Sequence, residues 1–276
     1  MPAAPKFNLR RDDACNFVAK FEPESIDLVI FDPAYESLEK HRAKGTTTRL
    51  KQSKGSSNQW FPIFPNARFE ELFKLLYRAL KQNTHLYMFC DQETMFVVKP
   101  IAEAAGFKFW KPIVWQKQAI GMGYHYRARY EFILFFEKGK RRLADLSLSD
   151  VLGEDPDPVL PQLPEAELKE LLHAMLVHTL VPDIITAKRV YKGYPTEKPV
   201  AAIEPLIHQS SVPGEVVLDP FAGSGATGVA AVSAGRRFVG CDVALDAVQL
   251  ATDRISAAGG ELVPGYRPLA TQRALF

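Results

Sequence analysis

Apolar runs that suit buried strands alternate along this chain with runs whose apolar residues recur at helical spacing. The strand-like runs are IDLVIF (26–31), THLYMFC (84–90), FKFWKPIVWQ (107–116), YEFILFFE (130–137), EVVLD (215–219) and RFVGCD (237–242). The helix-like runs are 69–82, 91–106, 225–235 and 244–259. This alternation predicts an α/β fold with a doubly wound, mostly parallel sheet that is covered by helices on both faces.

Two segments interrupt the alternation. Residues 36–59 hold six Lys or Arg against two Glu, with Gly, Ser and Thr between them, which is typical of a basic loop. Residues 141–193 hold a Pro- and acid-rich linker followed by one helical run. We therefore expect one α/β domain formed by residues 1–140 and 194–276, with residues 141–193 as a small helical insertion.

Composition excludes several classes of protein. The 276 residues are 47% hydrophobic and 24% charged with a net charge of +2, which is an ordinary globular composition that allows a nucleic-acid partner without requiring one. The three cysteines form no CxxC pair and the histidines show no ligand spacing, so we expect neither a disulfide framework nor a metal site. The chain has no signal-peptide pattern and no apolar run of about 18 residues, so we expect a cytoplasmic protein without a membrane span.

A glycine-rich turn follows the strand-like run 215–219. Gly223, Gly225 and Gly228 have the G-x-G-x-x-G spacing, which lets a ligand approach the backbone closely and taken alone would suggest a dinucleotide. The next strand-like run ends at Asp242, where a carboxylate could accept hydrogen bonds from ribose hydroxyls. A ligand site is therefore a stronger interpretation than a plain strand-to-helix turn.

The segment DPAY, residues 32–35, follows another buried strand-like run. Taken alone, Asp-Pro at a strand end is more often a simple turn. Ligands bind at the carboxyl ends of parallel strands, however, and both DPAY and the glycine turn are predicted to lie there. The two motifs together favour one shared site.

These motifs resemble those of the DNA amino-methyltransferases. DPFAGSG (219–225) resembles their S-adenosylmethionine-binding motif, DPAY resembles their catalytic D-P-P-Y motif, and YPTEKP (194–199) resembles their H-P-T-x-K-P segment. Their order along the chain resembles that of the permuted β group. Two departures are Ala34 in place of the second proline and Tyr194 in place of the histidine.

The resemblance implies a site-specific DNA methyltransferase that acts on adenine N6 of a flipped-out base. The Asp32 carboxylate and the Pro33 carbonyl would accept the two N–H groups of the amine, and Tyr35 would stack on the base. Catalysis would then be mainly alignment, without metal. In the family that these motifs resemble, Asp rather than Ser at this motif position is more usual in enzymes that act on adenine, so Asp32 favours adenine as the target. Cytosine N4 stays open as the alternative.

The resemblance also assigns cofactor residues for S-adenosylmethionine. Asp242 would hold the ribose and Asp13 the adenine end. The residues near the methionine part would be Asp219, Phe221, Gly223, Gly225, Thr196 and Lys198.

Double-stranded DNA is the partner that the resemblance implies. The basic residues Lys40, Arg42, Lys44, Arg49, Lys51 and Lys54 begin beside DPAY and could clamp phosphates, although a solvated loop is the commoner fate of such a composition. The insertion would read the target sequence, flanked by Lys138, Lys140, Arg141 and Arg142, or would simply pack on the sheet. A homodimer and a cognate restriction endonuclease remain open as further partners.

Three alternatives of other kinds remain at this point. A nicotinamide-dependent oxidoreductase would explain the glycine turn but neither DPAY nor YPTEKP. A DNA-binding module that has lost catalysis would not need the full set of acceptor and cofactor residues. A methyltransferase for RNA or for protein amides would use similar amine chemistry.

Overall fold

The computed structural model describes residues 4–37, 62–117, 129–144, 184–187, 197–265 and 268. Within these residues nine strands form one sheet. The strands are β1 (Lys6–Arg11), β2 (Ile26–Phe31), β3 (Leu80–Cys90), β4 (Lys108–Gln116), β5 (Tyr130–Lys138), β6 (Ile184–Thr186), β7 (Val216–Asp219), β8 (Arg237–Asp242) and β9 (Glu261–Leu262). Their order across the sheet is β6-β4-β5-β3-β2-β7-β8-β1-β9.

Strand direction is uniform except at β5. This strand pairs antiparallel with both β3 and β4, whereas every other neighbouring pair is parallel. The carboxyl ends of the remaining strands therefore meet at one edge, and β5 brings its first residues to that same edge. The predicted mostly parallel sheet is confirmed.

Six α-helices of the described residues cover the sheet. They are α1 (Ala14–Ala19), α2 (Phe69–Ala79), α3 (Gln92–Ala104), α4 (Val200–Ser210), α5 (Ala226–Ser233) and α6 (Leu245–Ala257). The first three contribute to the hydrophobic cluster on one face and the last three to the cluster on the other. The central strand β2 serves both, because Val29 and Phe31 enter the first cluster while Leu28 and Ile30 enter the second. The sheet is thus wound with helices on both faces, as predicted.

The helix predicted over 69–82 ends earlier than its sequence pattern indicated. It stops at Ala79, and Leu80 already has extended dihedrals and pairs with Ile26 as the first residue of β3. The buried Lys138 ammonium donates to the carbonyls of Tyr77 and Leu80 at 2.7 and 2.6 Å, which satisfies acceptors at the helix end. The lysine lies 61 and 58 positions from these two residues, so the local pattern of 69–82 does not reveal where the helix ends.

Five elements were not predicted from the pattern: β1, α1, β6, α4 and β9. Strand β1 begins and ends with charged residues, and α4 carries Pro205 inside it. Most of the predicted insertion, including its helical run, lies outside the described residues. Among the residues that are described, no helix is long and apolar enough to cross a membrane.

The first prediction concerns Gly225, which precedes α5 with φ of +79°. A Cβ there would lie 2.7 Å from the Ala251 Cβ and 2.9 Å from its Cα. Gly225→Ala should therefore lower the free energy of unfolding by about 1–3 kcal/mol of overlap on top of left-handed strain. Gly214→Ala is the matched control, because Gly214 has φ of +85° and open space around its Cβ position. Urea unfolding measures the free energy of unfolding of both variants. Equal losses of stability would show that contact with Ala251 does not restrict the side chain at position 225.

Candidate active site

Aspartates stand at the carboxyl ends of five parallel strands. Asp13 and Asp32 follow β1 and β2, Asp91 follows β3, and Asp219 and Asp242 are the last residues of β7 and β8. Parallel pairing brings these ends to one edge of the sheet. Two of them also begin helices, since Asp13 accepts from the Cys15 and Asn16 amides and Asp91 from the Thr94 amide.

A cavity of about 460 Å³ opens at this edge. It is lined by the three predicted catalytic residues Asp32, Pro33 and Tyr35, and by the predicted cofactor residues Asp13, Lys198, Asp219, Phe221, Gly223 and Asp242. Gly225 is not part of the lining; it packs behind the turn against Ala251. Thr196 and the six basic residues from Lys40 to Lys54 lie outside the described part of the chain.

The Asp32 carboxylate is held by an ion pair. Lys198 Nζ donates to Asp32 Oδ2 and lies 3.5 Å from Glu131 Oε2, while Lys117 Nζ donates to Glu131 Oε1. Burial raises the pKa of Asp32 to about 6, and the Lys198 ammonium limits that rise. Burial also lowers the pKa of Lys198, but the Asp32 and Glu131 carboxylates outweigh it and hold that pKa above its ordinary value. Two cations and two anions therefore alternate in one cluster.

Sequence reasoning missed Glu131 and Lys117. Glu131 lies near the start of β5, the antiparallel strand, and Lys117 directly follows the end of β4. The sheet brings both to the edge that carries Asp32. The sequence did show a charged residue, Glu131, at the beginning of the apolar run YEFILFFE. Whether this residue lies at the cavity depends on the direction of β5, which the apolar pattern does not reveal.

The glycine turn is fixed by the two aspartates beside it. Asp219 Oδ1 accepts from the Phe221 amide at 2.9 Å, and Asp242 Oδ2 accepts from the Gly223 amide at 3.0 Å. Asp242 Oδ1 accepts from the Ala244 amide. With a further hydrogen bond from the Val243 amide, these contacts use three of roughly four acceptor sites of the Asp242 carboxylate, so capacity remains for a ligand hydroxyl. Burial raises the pKa of Asp219 to about 7 and also raises the pKa of Asp242.

An aromatic group closes one side of the cavity. Phe221 stacks on Phe31 with ring centroids 5.7 Å apart and meets Phe64 edge-on at 5.0 Å. Tyr35 pairs with Phe64 in an isolated bridge and is 6% exposed. Burial raises the pKa of Tyr35 well above its ordinary value, so the phenol stays neutral. The ring of Tyr35 therefore lines the cavity as a fixed neutral surface.

Asp13 lines the cavity with most of its acceptor capacity already used. Arg68 donates to both of its oxygens, at 2.7 and 2.8 Å, in addition to the two helix-capping amides. The Arg68 hydrogen bonds hold the pKa of Asp13 below its usual value against the effect of burial. Arg68, which sequence reasoning also missed, stands over the Phe64 ring. The pair forms a charged wall of the cavity.

The basic cluster that was expected to flank the insertion begins at the opposite edge of the sheet. Lys138 pairs with Thr84, six positions before Cys90 at the carboxyl end of β3, and is 3% exposed. Arg141 donates to the Glu215 carboxylate at 3.0 Å. Both cations therefore make contacts within the fold, because the reversed direction of β5 takes its last residues away from the cavity.

The arrangement suits polar binding and alignment. It offers an anchored carboxylate, a glycine turn and an aromatic wall within one cavity. Among the residues that the structure describes, no group of His, Cys, Asp or Glu side chains is arranged to hold a metal ion.

Comparison with known sequences identifies the family. The N6/N4 methyltransferase family, described as DNA methylase, matches residues 26–253. The chain belongs to this DNA methylase family. Among relatives in the family, the type II methyltransferase M2.DpnII of Streptococcus pneumoniae is 27% identical over 259 residues, covering 91% of this chain and 90% of that protein. DNA adenine methyltransferase YhdJ of Escherichia coli K12 is 26% identical over 263 residues, covering 89% and 81%.

Solved structures show the same DNA methylase fold. The Thermus thermophilus protein TTHA0409, in complex with S-adenosyl-L-methionine, superposes with a TM-score of 0.58 at 21% identity, covering 94% of this chain and 99% of that one. The cytosine-N4-specific PvuII DNA methyltransferase gives 0.61 at 13% identity, covering 94% and 97%. An enzyme named for cytosine N4 thus has this fold, while a sequence relative is named for adenine.

The second prediction concerns the titration of Asp32. Its carboxyl should titrate near pH 6, and Lys198→Met should move that titration to higher pH, because the substitution removes the cation that favours the charged form. Carbon NMR of protein labelled at aspartate carboxyls measures both. Lys74→Met, which removes an exposed lysine paired with Glu70 on α2, is the control and should leave Asp32 unchanged. Titration of wild-type Asp32 at or below pH 4 would contradict the burial argument.

Proposed function

We propose that this DNA methylase transfers the methyl group of S-adenosylmethionine to adenine N6 in double-stranded DNA. One observation carries the proposal: the Asp32–Tyr35 turn after β2 and the glycine turn after β7 line the same cavity. The adenine-specific name of YhdJ and the aspartate at position 32 support adenine. The likeness of the fold to a cytosine-N4 enzyme supports cytosine as the second candidate.

The cavity residues fit S-adenosylmethionine. The remaining acceptor capacity of Asp242 suits a ribose hydroxyl, and the turn at Gly223 presents main chain where the methionine part would lie. The Asp32 carboxylate suits a cationic sulfonium by charge, as does Asp219 in its ionised form. When bound, the cofactor supplies a methyl group on an excellent leaving group. Binding of the adenine end of the cofactor by Asp13 stays a prediction. The hydrogen-bond partner of Asp13, Arg68, lies beside it in the cavity wall.

The chain's own residues would hold and align the base. Asp32 accepts one hydrogen bond from the exocyclic amine and the Pro33 carbonyl accepts the other, which directs the nitrogen lone pair out of the ring plane. Tyr35 provides a neutral face against the extruded base. A carboxylate that is already anchored needs little reorganisation when the amine gains positive charge.

Contacts with the duplex remain predictions. The basic residues from Lys40 to Lys54 are attached next to the cavity through Tyr35, which favours phosphate contacts during extrusion of the base. The insertion 141–193 is our candidate for reading the target sequence. A homodimer and a partner endonuclease also stay predictions. Membership of the DNA methylase family argues against the oxidoreductase alternative.

The third prediction is that Asp32→Ala abolishes methyl transfer while S-adenosylmethionine binding stays nearly intact. The substitution removes an acceptor for the amine but leaves the glycine turn untouched. Incorporation of labelled methyl groups into unmethylated DNA measures transfer, and calorimetric titration measures binding. Asp253→Ala on the exposed side of α6 is the control and should retain activity. Full activity of Asp32→Ala would refute its role, and binding of NAD in place of S-adenosylmethionine would refute the proposed cofactor.

The fourth prediction fixes the target base. DNA treated with the protein and sequenced by a method that detects both modified bases should carry N6-methyladenine within one recurring sequence context. The reason is that Asp32 with Pro33 forms the acceptor pair associated here with adenine. N4-methylcytosine alone would replace the adenine proposal by its second candidate. DNA treated with the Asp32→Ala variant provides the background.

A further inference from the structure

Lys198 lies between two carboxylates that come from different strands. It precedes α4, and its side chain is 10% exposed. Its ammonium contacts Asp32 Oδ2 after β2 and lies 3.5 Å from Glu131 Oε2 on β5. The rings of Phe89 and Trp115 lie 5.6 and 6.0 Å from it. A buried cation of this kind is stable only with anionic partners.

Glu131 is itself fixed from the other side. Lys117 donates to its Oε1, which leaves Oε2 directed at Lys198. The side chains of Lys117 and Glu131 are about one fifth exposed, at 18% and 20%. The carboxylate of Glu131 is therefore anchored at one oxygen and constrains Lys198 with the other.

This chain of contacts decides how Asp32 presents its carboxylate. Lys198 takes Oδ2 of Asp32, so Oδ1 is the oxygen that remains for an amine. Glu131 shares the positive charge of Lys198, so that this cation does not act on Asp32 alone. The charged groups that act on Asp32 from the surrounding elements are Lys198, Glu131 and Lys117, and Asp219 lies near it on β7.

We propose that Glu131 is a positioning residue that acts on Asp32 through Lys198. It holds the lysine at the orientation in which one Asp32 oxygen is anchored and the other faces the target amine. This inference rests on the proposed methyl transfer and deepens it. It assigns a role to Glu131, a residue outside the three motifs that carried the resemblance.

A double-mutant cycle tests the coupling. Glu131→Gln should lower kcat by about tenfold or more, because small misplacement of an aligning group is costly. The concentration of S-adenosylmethionine at half saturation should stay within about twofold, since the glycine turn is unchanged. In a Lys198→Met background, Glu131→Gln should have little further effect. If the two effects multiply instead, Glu131 does not act through Lys198 and the inference falls.

The pH–rate profile tests the coupling separately, because a purely structural role of Glu131 would leave this profile unchanged. Glu131 raises the pKa of Asp32, so Glu131→Gln should shift the acid limb of the profile to lower pH. Glu131→Asp keeps the negative charge, so the acid limb of its profile should lie at the wild-type pH. This variant should also retain most of the wild-type kcat. Equal losses in Glu131→Gln and Glu131→Asp, or an unmoved limb, would overturn the inference even if Lys198→Met is too slow to measure.

Control variants and the wild-type protein show whether a negative result concerns the proposed methyl transfer or only the role of Glu131. Glu70→Gln and Lys74→Met form the matched pair, because they break an exposed ion pair on α2 by the same chemistry, and neither should change the rate. If wild-type protein transfers no methyl group to DNA, the proposed function itself fails. If wild type is active and the cycle is multiplicative, only the role of Glu131 fails. Calorimetric binding of S-adenosylmethionine to each variant confirms that the cofactor site is intact.

Discussion

The pairing of β2 with β7 is the constraint on which the site depends. Leu28 lies opposite Val217 and Val29 opposite Leu218, although the two strands are almost 190 positions apart in the sequence. Because the pairing is parallel, both strands end at the same edge, and the turns that follow them share one cavity. Every contact between the Asp32 turn and the glycine turn is a consequence of this register. A shift by one residue would reverse which side chains of the completely buried β2 reach each helical layer.

The charged cluster around Asp32 follows from the same edge. A single carboxylate in a cavity of this kind would tend to be protonated, as the raised pKa of Asp32 indicates. The positive charge of Lys198 favours the ionised form of Asp32, and the negative charge of Glu131 favours the charged form of Lys198. Lys117 in turn pairs with Glu131. Removing Lys198 would leave the largely buried Asp32 carboxylate without its ion-pair partner, which is far more costly than losing an exposed pair. The cluster is thus suited to keeping one carboxylate ionised and fixed.

Sequence reasoning predicted the parts of the site that lie in short motifs. Asp32, Asp219 and Asp242 could be found because each follows an apolar run at a recognisable turn, and the order of the motifs pointed to the family. Glu131 and Lys117 could not be found, because their place at the cavity depends on the single reversed strand. The same reversal explains why Lys138, which looks like a surface cation in the sequence, is a buried helix cap. The fold was predictable from alternating patterns, whereas β1, KFNLRR, is too charged at its ends to stand out although it is as long as β2.

The contacts between Tyr35 and Phe64 have a consequence for how this protein could diverge. The Phe64 amide donates to the Ala34 carbonyl at 2.7 Å, and the Asn66 amide donates to Glu36 at 2.8 Å, so the chain leaves and rejoins the sheet at one clamped point. The entropy of closing a chain segment grows only slowly with its length, by about 0.6 kcal/mol for each doubling. Lengthening of the chain between positions 37 and 62 therefore adds little to the entropy of closing it at this point. A change of length there would leave the clamp, and with it the place of Tyr35 at the cavity, unchanged.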